Sequence, residues 1–124
     1  IALARAMGIQ SELPPYPSLA LGTASLSMME MVRAYACMVN EGRPVTPFCI
    51  KAITSADGKL LESFKPVYQQ TQALSPANAQ LMVHMLKRTV SDGTAASLRT
   101  RYNIQNDIAA KTGTTQDNTD GWFI

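Results

Sequence analysis

Residues 26–40 constrain this chain more than any other segment, because they fit only a helix with little free surface. Ser27-Met28-Met29-Glu30 reads as a capping box: the serine hydroxyl accepts from the backbone N–H three residues on, and the glutamate reaches back to the serine N–H. Leu26, Met28, Met29, Met31, Val32, Ala34, Tyr35, Ala36, Met38 and Val39 then cover most of the circumference. Only Ser27, Glu30, Arg33 and Cys37 form a narrow polar stripe at helical spacing. A helix that is apolar nearly all round is buried on most sides, and its methionines are read as core packing and not as a ligand groove. The helix is expected to run to about Asn40, with Gly42 at the left-handed C′ position.

A chain of 124 residues with one other long helix has little material to surround such an element. The remaining surroundings are therefore expected from chain outside these residues, and the isolated piece is expected to expose apolar surface and self-associate. The ends read the same way. Ile1–Gly8 is a helical apolar pattern with no N-cap before it, and Gly121–Ile124 is a strand-like run with no turn after it. Residues 1–124 are thus expected to be one partial domain of a longer protein, cut through secondary structure at both ends.

Hydrophobic residues at 46% and charged residues at 16% describe an ordinary globular chain and exclude disorder. The net charge of +2 is scattered, and no basic stripe interleaved with aromatics speaks for nucleic acid. No run of ~18 uninterrupted apolar residues reads as a membrane span, and no signal-peptide pattern is present. Cys37 falls in the helix and Cys49 in an expected strand. Two thiols cannot make a zinc site alone. They could pair in an oxidising compartment if their Cα atoms are close enough, but the reading taken is two independent buried free thiols.

Residues 11–25 are irregular, since Pro14, Pro15 and Pro17 exclude a helix interior and Gly22 breaks the stretch after them. Residues 44–53 read as a strand around Val45, Phe48, Ile50 and Ile53, with Pro44 and Pro47 pushing its start toward an edge. Asp57-Gly58 is a hairpin turn, Lys59-Leu60-Leu61 begins the return strand, and residues 65–74 form a polar connector. Ser75-Pro76 opens a second long helix with serine at the N-cap and proline at N1. Its buried face is Ala79, Met82, Val83, Leu86 and Val90; its wet face is Gln80, His84, Lys87, Arg88 and Ser91, so the one histidine reads as solvated. Asp92-Gly93 stops the helix and Thr94 caps a shorter one through Leu98. Ile108–Gly113 is a strand, 117–121 a turn, and Trp122–Ile124 the returning strand. A few strands alternating with clustered helices give an α+β fold, with helices packed on a small antiparallel sheet.

The chemistry-bearing feature is Lys111-Thr112-Gly113, continued by Thr114-Thr115 at the end of a short apolar strand. Glycine after the threonine lets a strand edge approach a ligand with no Cβ in the way. Hydroxyls at Thr112 and Thr114 can hold a carboxylate, the adjacent lysine supplies positive charge, and the strand edge can pair with an extended peptide. The competing reading is a strand-end lysine in water followed by a threonine-rich turn.

Several segments, in order, resemble the C-terminal half of the transpeptidase domain of class A (bifunctional) penicillin-binding proteins. They are Leu21-Gly22-Thr23, Ser27 through Met31, Ala34-Tyr35-Ala36, Asn40 through Arg43, Gly93-Thr94, Lys111 through Thr115, and Asp120 through Phe123. The resemblance implies a part of the penicillin-binding, serine-transpeptidase fold. It also implies a D,D-transpeptidase activity in which a serine of a Ser-x-x-Lys motif attacks a stem peptide, assisted by a Ser-x-Asn motif and the Lys-Thr-Gly strand. It assigns Lys111 electrostatic and proton-relay support. Substrate binding falls to Thr112, Gly113, Thr114 and Thr115, with Thr112 and Thr114 on the terminal carboxylate. The backbone N–H of Thr114 becomes one of two oxyanion donors. No cofactor or metal is expected. The implied partners are peptidoglycan stems ending in D-Ala-D-Ala, β-lactams, and the N-terminal part of the same domain. The implied location is the bacterial cell envelope, at the outer face of the cytoplasmic membrane, with the anchor elsewhere.

Two departures stand out. Ala110 occupies the position before the lysine where the family usually has glycine, a methyl that a strand tolerates. No serine begins a Ser-x-x-Lys or a Ser-x-Asn; Ser63-Phe64-Lys65 is one residue too short and Ser75-Pro76-Ala77-Asn78 one too long. Both motifs precede this region in the family. The nucleophile is therefore expected outside residues 1–124, and the piece alone is expected to be inactive. The alternative is a non-catalytic module that binds or senses D-Ala-D-Ala or β-lactams.

Overall fold

The computed structural model describes residues 1–67, 69–115 and 120–124. They divide into two units, Ile1–Ser75 and Pro76–Ile124, each built from short helices and one antiparallel hairpin. The class is α+β as expected, and among the described residues each unit holds one two-stranded antiparallel hairpin.

The first unit opens with α1 (Ala2–Ala6). A 3₁₀ turn at Pro17–Leu21 interrupts the region expected to be irregular, with proline at its first position where a missing N–H does no harm. The long helix α2 (Met28–Val39) begins on the expected capping box. It ends on a Schellman arrangement in which Gly42 donates its N–H to the carbonyl of Cys37 at 2.9 Å. This moves the expectation by one residue: Asn40 is the C-cap, Glu41 (φ 55°) takes the left-handed C′ position, and Gly42 (φ 80°) follows it.

The apolar surface expected to be left bare on this piece is seen on α2, where Met28, Met29, Val32 and Val39 are exposed. Within its polar stripe Ser27 is exposed and Arg33 half-buried, whereas Glu30 and Cys37 are buried, which the sequence did not anticipate. Glu30 is buried because its carboxylate is fully partnered. Oε1 accepts from the N–H groups of Gln10 (2.7 Å) and Ser11 (2.6 Å), and Oε2 accepts from the Ser11 hydroxyl (2.7 Å). Oε2 also accepts from the N–H (2.9 Å) and hydroxyl (2.8 Å) of Ser27. One side chain thus ties the segment after α1 to the start of α2. The neighbouring Gly8, at φ 104°, lies against the Arg33 stem, where a Cβ would already be in contact at 3.4 Å.

These donors, the Ser11 hydroxyl first and then the Ser11 and Ser27 groups, hold the Glu30 carboxyl far below its ordinary value of 4.5. A depressed folded pKa contributes stability that is full above the unfolded value and is lost as pH falls through the folded one. Glu30→Gln is therefore expected to lower the thermal midpoint at pH 7, with the deficit shrinking as the pH is taken below 4. A deficit that stays constant from pH 7 to pH 3 would show that the charge of Glu30 contributes nothing.

Further along, Pro44 and Pro47 lack the N–H groups a ladder needs, and the strand expected over residues 44–53 shrinks to β1 (Ala52–Thr54). It pairs with β2 (Leu60–Ser63) across a turn containing Gly58 at φ 85°. Cys49 consequently lies exposed in irregular backbone, correcting the buried strand position expected for it. Cys37 is buried and free, and burial pushes its thiol up.

In the second unit α3 (Pro76–Ser91) buries Ala79 and Val90 and half-buries Met82, Val83 and Leu86, the face read from its periodicity. His84 is exposed. A short α4 (Ser97–Thr100) follows, capped by Ala96 without a side-chain bond; Thr94, expected as its cap, is used elsewhere. Val90, Ala95 and Ala110 form the buried centre of this unit, with Leu98 and Ile108 packed on it. β3 (Thr112–Thr114) and β4 (Gly121–Phe123) form the second hairpin. The strand expected from Ile108 starts only at Thr112, because the Ala110 N–H is turned to the Leu86 carbonyl of α3 at 3.2 Å. Of the turn expected over 117–121, residues 117–119 lie outside the described residues.

Candidate active site

The hairpin register decides which groups of the Lys-Thr-Gly strand are free to meet a ligand. Thr112 faces Phe123, Gly113 faces Trp122 and Thr114 faces Gly121. Lys111 and Ile124 exchange both backbone bonds, at 2.8 and 3.1 Å, and the Thr115 N–H donates to the Asp120 carbonyl at 3.1 Å. In an antiparallel ladder, hydrogen-bonded and non-bonded pairs alternate. Lys111, Gly113 and Thr115 therefore spend their backbone groups on β4. The N–H and C=O groups of Thr112 and Thr114 turn the other way, to the edge of β3 that β4 leaves open.

Alternation also sorts the side chains. Thr112 and Thr114 share one face of the hairpin, while Lys111 and Thr115 lie on the opposite face with Gly113. Lys111 comes back to the open edge through its ammonium, which donates to the Thr112 carbonyl at 2.6 Å. A Cβ on Gly113 would meet the Trp122 Cβ at 3.7 Å, an ordinary contact, so the hairpin itself does not demand glycine there. The Thr115 hydroxyl accepts from the Asp120 N–H at 2.9 Å. Of the residues singled out in the sequence, the structure thus gathers Lys111, Thr112 and Thr114 at the open edge and bonds Thr115 to Asp120.

The strand is seated from below. Ala110 is buried to 1% exposure beside Val90 and Ala95, so its methyl fills a core position. Lys87 on α3 pairs with Asp107, ahead of the strand, at 2.6 Å in an exposed ion pair. One contributor was not anticipated. The Thr94 hydroxyl lies 2.7 Å from the Thr112 hydroxyl, across 18 residues of chain. Gly93-Thr94 stood out in the sequence, but nothing local could show that the loop after α3 returns to the strand.

With this geometry established, the likeness to known proteins is specific. Residues 15–124 match the Transpeptidase family model, described as the penicillin binding protein transpeptidase domain. The chain is 37% identical over 117 residues to penicillin-binding protein 1A of Neisseria cinerea, and 37% identical over 112 residues to penicillin-binding protein 1A of Aquifex aeolicus. Those alignments take in 92% and 90% of this chain but only 14% and 15% of the two relatives. In fold it resembles penicillin-binding protein A from M. tuberculosis, solved as an imipenem acyl-enzyme complex. There the TM-score is 0.72 at 20% identity, over 98% of this chain and 31% of that one. It also resembles the D,D-transpeptidase domain of a peptidoglycan glycosyltransferase from Eggerthella lenta, with a TM-score of 0.64 at 24% identity, over 94% of this chain and 28% of that one. Since the family match takes in nearly the whole chain and ends on the Lys111–Ile124 hairpin, the chain belongs to the penicillin-binding protein transpeptidase domain family.

Proposed function

We propose that residues 1–124 are part of a serine D,D-transpeptidase that cross-links peptidoglycan stem peptides and is acylated by β-lactams. The observation that carries this reading is the register of β3. It turns the backbone groups of Thr112 and Thr114 to an open edge, sets their hydroxyls on one face of the hairpin, and has the Lys111 ammonium on the Thr112 carbonyl. The site so formed is suited to an extended peptide ending in a carboxylate. The relatives named penicillin-binding protein 1A and the acyl-enzyme complex of the M. tuberculosis protein support the same class.

In the proposed reaction a serine supplied from outside these residues attacks the carbonyl of the penultimate D-Ala. The C–N bond to the terminal D-Ala breaks, and that residue leaves as the amine after taking a proton. An amine of a neighbouring stem then attacks the ester, forming the cross-link and returning the serine. Thr112 and Thr114 donate their hydroxyl protons to the terminal carboxylate. Lys111 provides positive charge and supports proton transfer. The Thr114 N–H donates to the oxyanion of the tetrahedral intermediate, where one such donor is worth on the order of ~3 kcal/mol. Gly113 adds no side chain between the two threonines, and Thr115 holds the approach to β4 through Asp120.

The site is proposed to work at the cell envelope, on the outer face of the cytoplasmic membrane. Among the described residues no helix is long and apolar enough to cross a membrane. The test is acylation of the full-length protein by a fluorescent penicillin, read as a labelled band that survives denaturation. Labelling is expected for the full-length protein, and none for the 124-residue chain alone. Reversible penicillin binding by the full-length protein, with no covalent band, would replace this reading by a non-catalytic binding module.

A further inference from the structure

We infer that Thr94, in the loop after α3, is a positioning residue that acts on the ligand only through the Thr112 hydroxyl. The inference deepens the transpeptidase reading and rests on it. The loop is built tightly. A Cβ on Gly93 would come within 2.9 Å of both the Thr89 Cα and its carbonyl oxygen, so the backbone there lies directly on the last turn of α3. The Ala95 N–H donates to the Thr89 carbonyl at 3.0 Å, and the Ala96 N–H to the Gly93 carbonyl at 3.0 Å. Ala95 is buried against Val90 and Ala110, two residues before Thr112. Thr94 is thus held on both sides by groups packed on the same core that carries the strand, and its hydroxyl meets that of Thr112 at 2.7 Å.

Proton accounting gives this contact a direction. In the free protein either hydroxyl can be the donor. A carboxylate only accepts, and the Thr112 hydroxyl has one proton. Once Thr112 donates that proton to a bound carboxylate, its bond with Thr94 persists only with Thr94 as donor. The result is a polarised chain, Thr94 O–H to Thr112 Oγ1, and Thr112 O–H to the ligand, in which each bond strengthens the next. Thr94 also fixes the Thr112 rotamer before the ligand arrives, so less rotamer freedom is lost on binding.

The experiment uses the full-length protein with benzylpenicillin as probe, and separates initial binding from the acylation rate at saturation. Thr94→Val, which keeps the shape and removes the hydroxyl, should weaken initial binding about threefold to tenfold and leave the saturating rate in place. Thr94→Ser should bind as the wild type does. In the double variant, Thr94→Val should add nothing to the loss already caused by Thr112→Val. Equal binding by Thr94→Val and wild type, in a protein that acylates normally, overturns the inference alone. So do additive losses, which mean that Thr94 touches the ligand itself or acts on the fold, and so does a failure of Thr94→Ser to restore binding. A full-length wild type that takes no penicillin overturns the transpeptidase reading, and this inference with it.

Discussion

Gly42→Ala should destabilise the fold by about 2–5 kcal/mol, combining a left-handed backbone penalty with overpacking against backbone. Gly42 sits at φ 80°, and a Cβ there would lie 2.1 Å from the Leu74 carbonyl oxygen and 2.8 Å from the Leu74 carbonyl carbon. No flexible side chain can yield, since the obstacle is main chain. The position is also a junction. Its N–H closes the end of α2 on the Cys37 carbonyl, and its carbonyl accepts the N–H groups of Ala73 (2.9 Å) and Leu74 (3.1 Å). The Gln72 side chain adds a bond to the Glu41 carbonyl at 2.6 Å, so the connector is pinned to the helix end from both directions. The control is Gly58→Ala, at φ 85° with nothing within 4 Å. It should show only the conformational part, about 1–2 kcal/mol. Chemical denaturation of both variants in the full-length protein measures the difference. Equal losses would mean that the contact with Leu74 relaxes freely and that φ alone is responsible.

Gly42 also illustrates what a sequence can and cannot show. A glycine after an apolar helix marks a helix end because the left-handed requirement is local, and the same holds for the Ser27–Glu30 box, the Ser75-Pro76 start and the Asp57-Gly58 turn. That Gly42 also lies under Leu74 depends on a return of the chain 32 residues later, which no local pattern carries. Glu30 shows the same division. Its reach back to Ser27 was legible, whereas the donors at Gln10 and Ser11 arrive from 20 and 19 residues away and bury the carboxylate. Hydrophobic periodicity says which apolar residues favour burial, but not where a carboxylate can be buried by collecting several N–H and O–H donors at once. At the site, the Lys111–Thr115 motif was visible because it is contiguous. Its partner Thr94 was not, because the hydroxyl–hydroxyl contact is made by tertiary packing of Ala95 on Ala110.

The largest effect on chemistry is expected from Thr114→Pro, a loss on the order of 10²–10³ in the rate of acylation of the full-length protein by penicillin. Proline removes one backbone donor, and the register says which interaction that donor is not making. The ladder bonds on either side, between Lys111 and Ile124 and from Thr115 to Asp120, leave the Thr114 N–H turned away from β4. A proline is tolerated at such an edge position because no ladder bond is lost. The hairpin should therefore survive with its thermal midpoint little changed, while the proposed oxyanion contact disappears. Thr114→Ala separates the two functions of the residue. It keeps the N–H and removes only the hydroxyl, so it should weaken initial binding of the carboxylate by about tenfold and spare the saturating rate. Thr114→Val should behave as Thr114→Ala does, since it too keeps the N–H. The decisive comparison is the saturating acylation rate of Thr114→Pro against Thr114→Ala in proteins of equal melting temperature. If the two rates agree, the Thr114 N–H does not stabilise the transition state, and the free edge of β3 serves binding alone.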